Sequence, residues 1–118
     1  MVVADIIKLL DANVISNEID MNHPVKTVCG SDMMSDVLAF IKKDAVLLTG
    51  LNNLQVLRTA EMMDIVCIVF VRGKTPSAEM VAMADELNIY MLQTQYTMFD
   101  TCGILYEAGL RGGRKVDG

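Results

Sequence analysis

The residues of this sequence that could do chemistry collect in four short stretches: Gly30-Ser31-Asp32, Thr49 to Asn53, Arg72 to Thr75 and Gln93 to Thr97. Each leads into a segment with helical spacing, and the first N–H groups of a helix lack partners within it and carry partial positive charge. Such ends suit phosphate or carboxylate. Arg72 and Lys74 add clustered cationic charge, which outside the termini recurs only at Lys42-Lys43. The set offered to a small anionic ligand is Gly50, Asn52, Asn53, Arg72, Gly73, Lys74 and Thr94. A plainer reading stands beside it: Asn52 and Asn53 are good helix caps, and Gly50 and Gly73 suit tight turns. Gly50 with Asn53 would serve turn and cap in any case, which leaves Asn52, Arg72 and Lys74 to report a ligand. Neither glycine loop is a Walker sequence or a Gly-x-Gly-x-x-Gly fingerprint.

Reactive side chains are scattered. His23, the sole histidine, precedes Pro24 with no nucleophile nearby, and reads as an ordinary loop residue. Asp32 and Asp36 fall four apart, either a carboxylate pair for a metal or, more simply, acids complementing the dipole of a first helical turn. Cys29, Cys67 and Cys102 form no Cys-x-x-Cys pair, so neither a disulfide framework nor a zinc site is indicated, and Cys67 reads as a small core residue. The ten methionines, among them Met33-Met34, Met62-Met63, Met80 and Met83, suggest an adaptable or soft-metal surface; most fall on inward helix positions, which favours core filling. No catalytic residue, metal or cofactor is expected.

The elements that must hold these stretches follow from periodicity. Ala4 to Leu10 predicts a short amphipathic helix, and strands follow around Val14-Ile15 and Val25 to Val28. Met34, Val37, Leu38 and Ile41 predict a helix capped by Ser31 or Asp32, with Lys42-Lys43 in its last turn. A strand–loop–helix unit then occurs twice. "AVLLT" leads through Gly50 to a helix with Leu54, Val56, Leu57, Ala60 and Met63 inward; "VCIVFV" leads through Gly73 to one with Met80, Val81, Ala84 and Leu87 inward. The two glycines are 23 residues apart. Thr75 as N-cap and Pro76 at the first position would begin that second helix. A strand from Ile89 to Leu92 and a helix from Met98 to about Ala108, stopped by Gly109, complete the chain. Unbroken aliphatic strands are covered on both faces, so the fold class is α/β: a mostly parallel sheet with crossover helices on both faces. Loops following parallel strands gather at one edge of the sheet, where such folds bind ligands.

Bulk composition bounds the partners. A chain of 118 residues with 53% hydrophobic and 21% charged residues folds as one domain, here residues 1–110, and its apolar excess points to a homodimer. Net charge is −5, with 7 basic and 14 acidic residues before Gly109, which disfavours nucleic acid. Residues 111–118 read as a flexible basic tail. The longest apolar run, Ile65 to Val71, is too short to span a bilayer, and the start lacks a basic leader, so a cytoplasmic setting is expected.

The order of elements in "ADIIKLLDANVISNE", "VKTVCGSDMMSDVLAFIKKDAVLLTGLNN" and "GKTPSAEMVAMADELNIYML" resembles the DRTGG domains, which look like the N-terminal domain of HPr kinase. Those domains occur beside CBS domains in some pyrophosphatases and next to phosphotransacetylase modules. The resemblance implies a dimeric regulatory or sensory module that responds to a nucleotide or other phosphorylated metabolite, here standing without the enzyme domains that usually accompany it. Two loops depart from the family pattern. Gly50-Leu51-Asn52 stands where members usually have Gly-Asp-Arg, and Arg72-Gly73-Lys74 where they have Thr-Gly-Gly. The competing expectation is a protein-interaction subunit with no small-molecule ligand; an enzyme using Asp32 or Asp36 with a metal is the least favoured.

Overall fold

The computed structural model describes residues 1–40 and 44–112. Helix α1, Val3–Leu10, begins where the Asp5 carboxylate accepts the Val2 N–H at 2.8 Å and ends at Asp11 in the left-handed region. Strand β1, Asn13–Val14, follows, and then β2, Thr27–Gly30. Three crossover units come next: α2 (Met34–Phe40) to β3 (Ala45–Thr49), α3 (Leu54–Met62) to β4 (Cys67–Phe70), and α4 (Ala78–Leu87) to β5 (Tyr90–Gln93). Helix α5, Met98–Glu107, closes the described chain.

The sheet order is β1-β5-β4-β3-β2, with β2 to β5 parallel and β1 antiparallel on the β5 edge. Each parallel strand is added on the same side of its predecessor, so right-handed crossovers bring α2, α3 and α4 onto one face. Alternation along the strands divides the core accordingly. Leu47, Ile68, Phe70 and Met91 pack with Val37, Leu57, Ala60 and Met80 of those helices. Val46, Leu48, Cys67, Val69 and Leu92 pack with Ile6 and Leu10 of α1 and Leu105 of α5. Helices thus cover both faces, three against two.

Several boundaries differ from the sequence expectation. The strand expected at Val25 to Val28 runs two residues later, and α4 begins at Ala78 rather than Pro76, capped by Ser77, whose hydroxyl accepts the Met80 N–H at 3.2 Å. Thr75 is engaged otherwise: its carbonyl accepts from Asn52 at 2.9 Å, which keeps Thr75-Pro76 in the loop. Leu38 points outward. So do Met33, Met62 and Met83, while Met34 and Met80 are buried and Met63 is half-buried. Both Met-Met pairs straddle a helix end, Met33 preceding α2 and Met63 following α3, and in each the two side chains differ in burial. Ile41 and the Lys42-Lys43 pair lie outside the described residues, as do residues 113–118 of the expected tail. Arg111, that tail's first residue, is tied down: its carbonyl accepts the Val28 N–H at 3.2 Å, and its guanidinium stacks 3.7 Å from the Tyr106 ring centroid.

Candidate functional site

Register brings Gly30, Thr49, Phe70 and Gln93, the ends of β2 to β5, to one edge of the sheet. The four polar loops therefore stand side by side in strand order. Sheets with a topological switch point gain a ligand crevice where the order reverses; β2 to β5 run in sequence, so this edge is a row of loops.

Its centre is Gly50. The Gly50 N–H donates to Asp32 Oδ1 at 2.7 Å, and the Thr49 hydroxyl donates to the same oxygen at 3.0 Å. Thr49 is buried, and its oxygen also accepts the Leu51 N–H at 3.1 Å. Asp32 thereby fastens the β2–α2 loop to the β3–α3 loop. It does not cap α2, since Ser31 turns back on Met33 and the helix starts at Met34. Nor does it share a helical face with Asp36, and among the described residues no group of His, Cys, Asp or Glu is placed to hold a metal.

Arg72 reaches the same point from the third loop. A Cβ on Gly50 would lie 2.7 Å from Arg72 Nη2 and 3.6 Å from Asp32 Oδ1, so the guanidinium rests on the glycine beside the carboxylate. Arg72 adopts φ 57°, and Gly73 follows at φ 68°. Backbone pairing holds this turn: the Arg72 N–H donates to Tyr96 O and the Gly73 N–H to Thr94 O, both at 2.8 Å. Gln93 adds its amide, donating to the Gly73 and Lys74 carbonyls at 3.0 and 3.2 Å. The Gln95 side chain lies over Gly73, where a Cβ would come within 2.8 Å of its amide oxygen.

The remaining expected site residues divide. Lys74 is exposed on the rim. Asn53 caps α3, accepting the Gln55 N–H at 3.1 Å. Asn52 was expected to be available to a ligand, but its amide bridges to the Thr75 carbonyl. Thr94 does not reach the surface: it is buried, and its hydroxyl donates to the Leu10 carbonyl at 2.7 Å, tying β5 to the end of α1. Asp32, which the sequence offered as a helix cap or one of a carboxylate pair in the Gly30-Ser31-Asp32 loop, instead joins two loops of the rim.

Potential catalytic groups stand apart from this rim. His23 lies at the opposite edge, 4.0 Å from the Asp44 carboxylate, with Lys26 3.6 Å from the same group. Burial pushes the thiols of Cys29, Cys67 and Cys102 up, and the Asp36 carboxylate pushes Cys29 further. These sulfurs are held as neutral thiols, the unreactive form.

A family model for the DRTGG domain matches residues 5–108. The chain belongs to the DRTGG domain family. Among solved structures, this DRTGG domain is similar to the CBS and DRTGG domains of the regulatory region of Clostridium perfringens pyrophosphatase, complexed with the activator diadenosine tetraphosphate. The TM-score is 0.71 at 21% identity, over 86% of this chain and 44% of that one. That likeness establishes a shared fold. No curated protein matches the chain. An acid from one neighbouring loop, Asp32, and an arginine from the other, Arg72, stand beside Gly50.

Proposed function

We propose that this DRTGG domain is a non-catalytic regulatory module that works as a homodimer and senses a nucleotide or other small phosphorylated ligand at the loop rim. The observation that carries this reading is that the Arg72 guanidinium lies against Gly50 while Asp32 holds the Gly50 N–H. A bare cation site would suit any anion; a guanidinium beside a carboxylate suits a ligand bearing both phosphate and hydroxyl groups. Phosphate pairs with Arg72 and Lys74 and with the N-termini of α3 and α4, while Asp32 accepts from a sugar hydroxyl. Asn53, Gly73 and Thr94 support the loops, and Asn52 fixes the spacing between two of them. The regulatory assignment draws on family membership and on the pyrophosphatase regulatory region, which is bound to a dinucleotide activator. A cytoplasmic setting agrees with three cysteines in thiol form. Among the described residues no helix is long and apolar enough to cross a membrane.

Thermal-shift and calorimetric titrations with adenine nucleotides, diadenosine polyphosphates and phosphorylated metabolites test the reading. A ligand at one hundred times its dissociation constant adds about 2.7 kcal/mol of stability, on the order of 10 °C in Tm for a domain of this size. Inorganic phosphate alone should bind more weakly than a nucleotide. Absence of stabilisation by every compound would leave the second reading, a protein-interaction subunit, which the exposed aromatic face of α5 favours.

A further inference from the structure

We propose that the outer face of α5 is the self-association surface of this domain, pairing with α5 of a second copy in antiparallel fashion about a two-fold axis through Gly103. The inference rests on the dimeric reading above and names where the two copies meet. Phe99 is 86% exposed, Tyr106 60% and, in the loop leading into the helix, Tyr96 40%. Taking about 200 Å² for a ring side chain, these three leave roughly 370 Å² in contact with water, within the range at which an apolar patch on a monomer is often functional. One side of a standard interface contributes about 800 Å², so the rings supply nearly half of it. The other exposed apolar side chains around the crossover helices, Met33, Leu38, Met62 and Met83, are single residues spread along the opposite layer.

The shape of the α5 face argues for a second copy. Phe99, Gly103 and Tyr106 recur at helical spacing on the side away from buried Thr101 and Leu105. A Cβ on Gly103 would meet nothing within 4 Å, so the helix backbone is bare at the outermost line of the face. Shallow grooves flank that line, one between Phe99, Cys102, Tyr106 and Arg111, the other between Tyr96, Asp100, Ile104 and Glu107. In a two-fold contact the residue on the axis faces itself, and glycine allows the closest approach there. Phe99 lies about 6 Å before Gly103 along the helix and Tyr106 about 4.5 Å after it. Antiparallel pairing therefore sets each Phe99 ring against the Tyr106 ring of the other copy, on the flank where Arg111 stacks. On the other flank Asp100 comes opposite the second copy's Glu107. These acids repel at the rim of the contact, and salt screens them. A basic partner protein on the same face would show the reverse dependence, loosening as salt rises.

Sedimentation velocity of the full chain over a wide concentration range, at low and high salt, tests the pairing. The expected result is a monomer–dimer equilibrium that tightens with salt. Gly103→Arg places a long side chain where space is open and helix propensity improves, so the monomer stays folded while the dimer dissociation constant rises by about tenfold or more. Phe99→Ala should weaken the dimer in the same sense, and Met62→Arg on the opposite layer should leave it unchanged. A dimer unaffected by Gly103→Arg and Phe99→Ala would overturn the α5 assignment and leave the dimeric reading standing. A wild-type chain that stays monomeric throughout would overturn both, and a dimer that loosens with salt would overturn the antiparallel pairing.

Discussion

Replacing Asp32 by alanine removes one carboxylate oxygen that accepts twice from the end of β3, from the Thr49 hydroxyl at 3.0 Å and the Gly50 N–H at 2.7 Å. A hydrogen bond to a charged acceptor contributes about 1.5–3 kcal/mol. Asp32 is exposed, so solvent screening takes each toward or below the low end. Thr49, in contrast, is fully buried, and its hydroxyl loses its acceptor. The expected loss is about 2 kcal/mol, seen as a lower urea midpoint at unchanged slope and on the order of 8 °C in Tm. Asp32→Asn keeps an acceptor oxygen and should lose less than half as much. A double-mutant cycle with Thr49→Val separates a loop staple from a helix cap. If Asp32 fastens the loops, its effect shrinks by about 1 kcal/mol once the hydroxyl is gone; a cap would keep its full effect. An Asp32→Ala protein within about 0.5 kcal/mol of wild type, or a cycle with no coupling, would refute the reasoning.

Other consequences follow from single contacts. Ser77→Ala should cost about 1 kcal/mol in chemical denaturation as the loss of the α4 cap, whereas Thr75→Ala should be near neutral; the opposite ranking would restore the earlier helix start. Thr94→Val leaves the Leu10 carbonyl without its 2.7 Å donor and should cost about 1–3 kcal/mol. Thr101→Val should be neutral or stabilising, because the buried Thr101 hydroxyl has no partner; a large loss there would mean that its bonding is misassigned. Burial raises the cysteine thiols above their ordinary value of 9.0, so in alkali the unfolded chain loses protons that the folded chain keeps. Their contribution to stability is full below the ordinary thiol value and declines as pH rises through it. The urea midpoint should therefore fall on going from neutral to alkaline pH, and less steeply in Cys67→Ala; identical slopes would contradict the burial argument.

The layered core was legible because its signal is local. A run such as "VCIVFV" must be a strand covered on both faces, and each polar loop had to stand at its end. Asn53 was legible as a cap for the same reason, since side chain and amide are two residues apart. Contacts that cross the sequence were not legible. Thr94 meets a carbonyl 84 residues away, and Asp32 meets Thr49 only because β2 and β3 are neighbours in register. Nothing in the order of residues distinguishes a first-turn aspartate from one that leans across to the next loop. The Thr75-Pro76 start was a reasonable competing solution that lost because Asn52 claims the Thr75 carbonyl. The approach of Asp32 and Arg72 to Gly50 was not legible for the same reason, since they come from the two flanking loops.

The central claim is that Arg72 and Asp32 beside Gly50 form a ligand rim, and Arg72→Gly tests it directly. Arg72 occupies the left-handed region, φ 57°, so glycine suits that backbone and the fold should survive. Calorimetric titration of wild type and Arg72→Gly with the nucleotide that most stabilises the domain should show binding to wild type and at least about a tenfold loss in the variant, matching removal of one charged contact, with unchanged unliganded Tm. Equal affinity in the two proteins, or no binding by wild type to any phosphorylated compound, would contradict it.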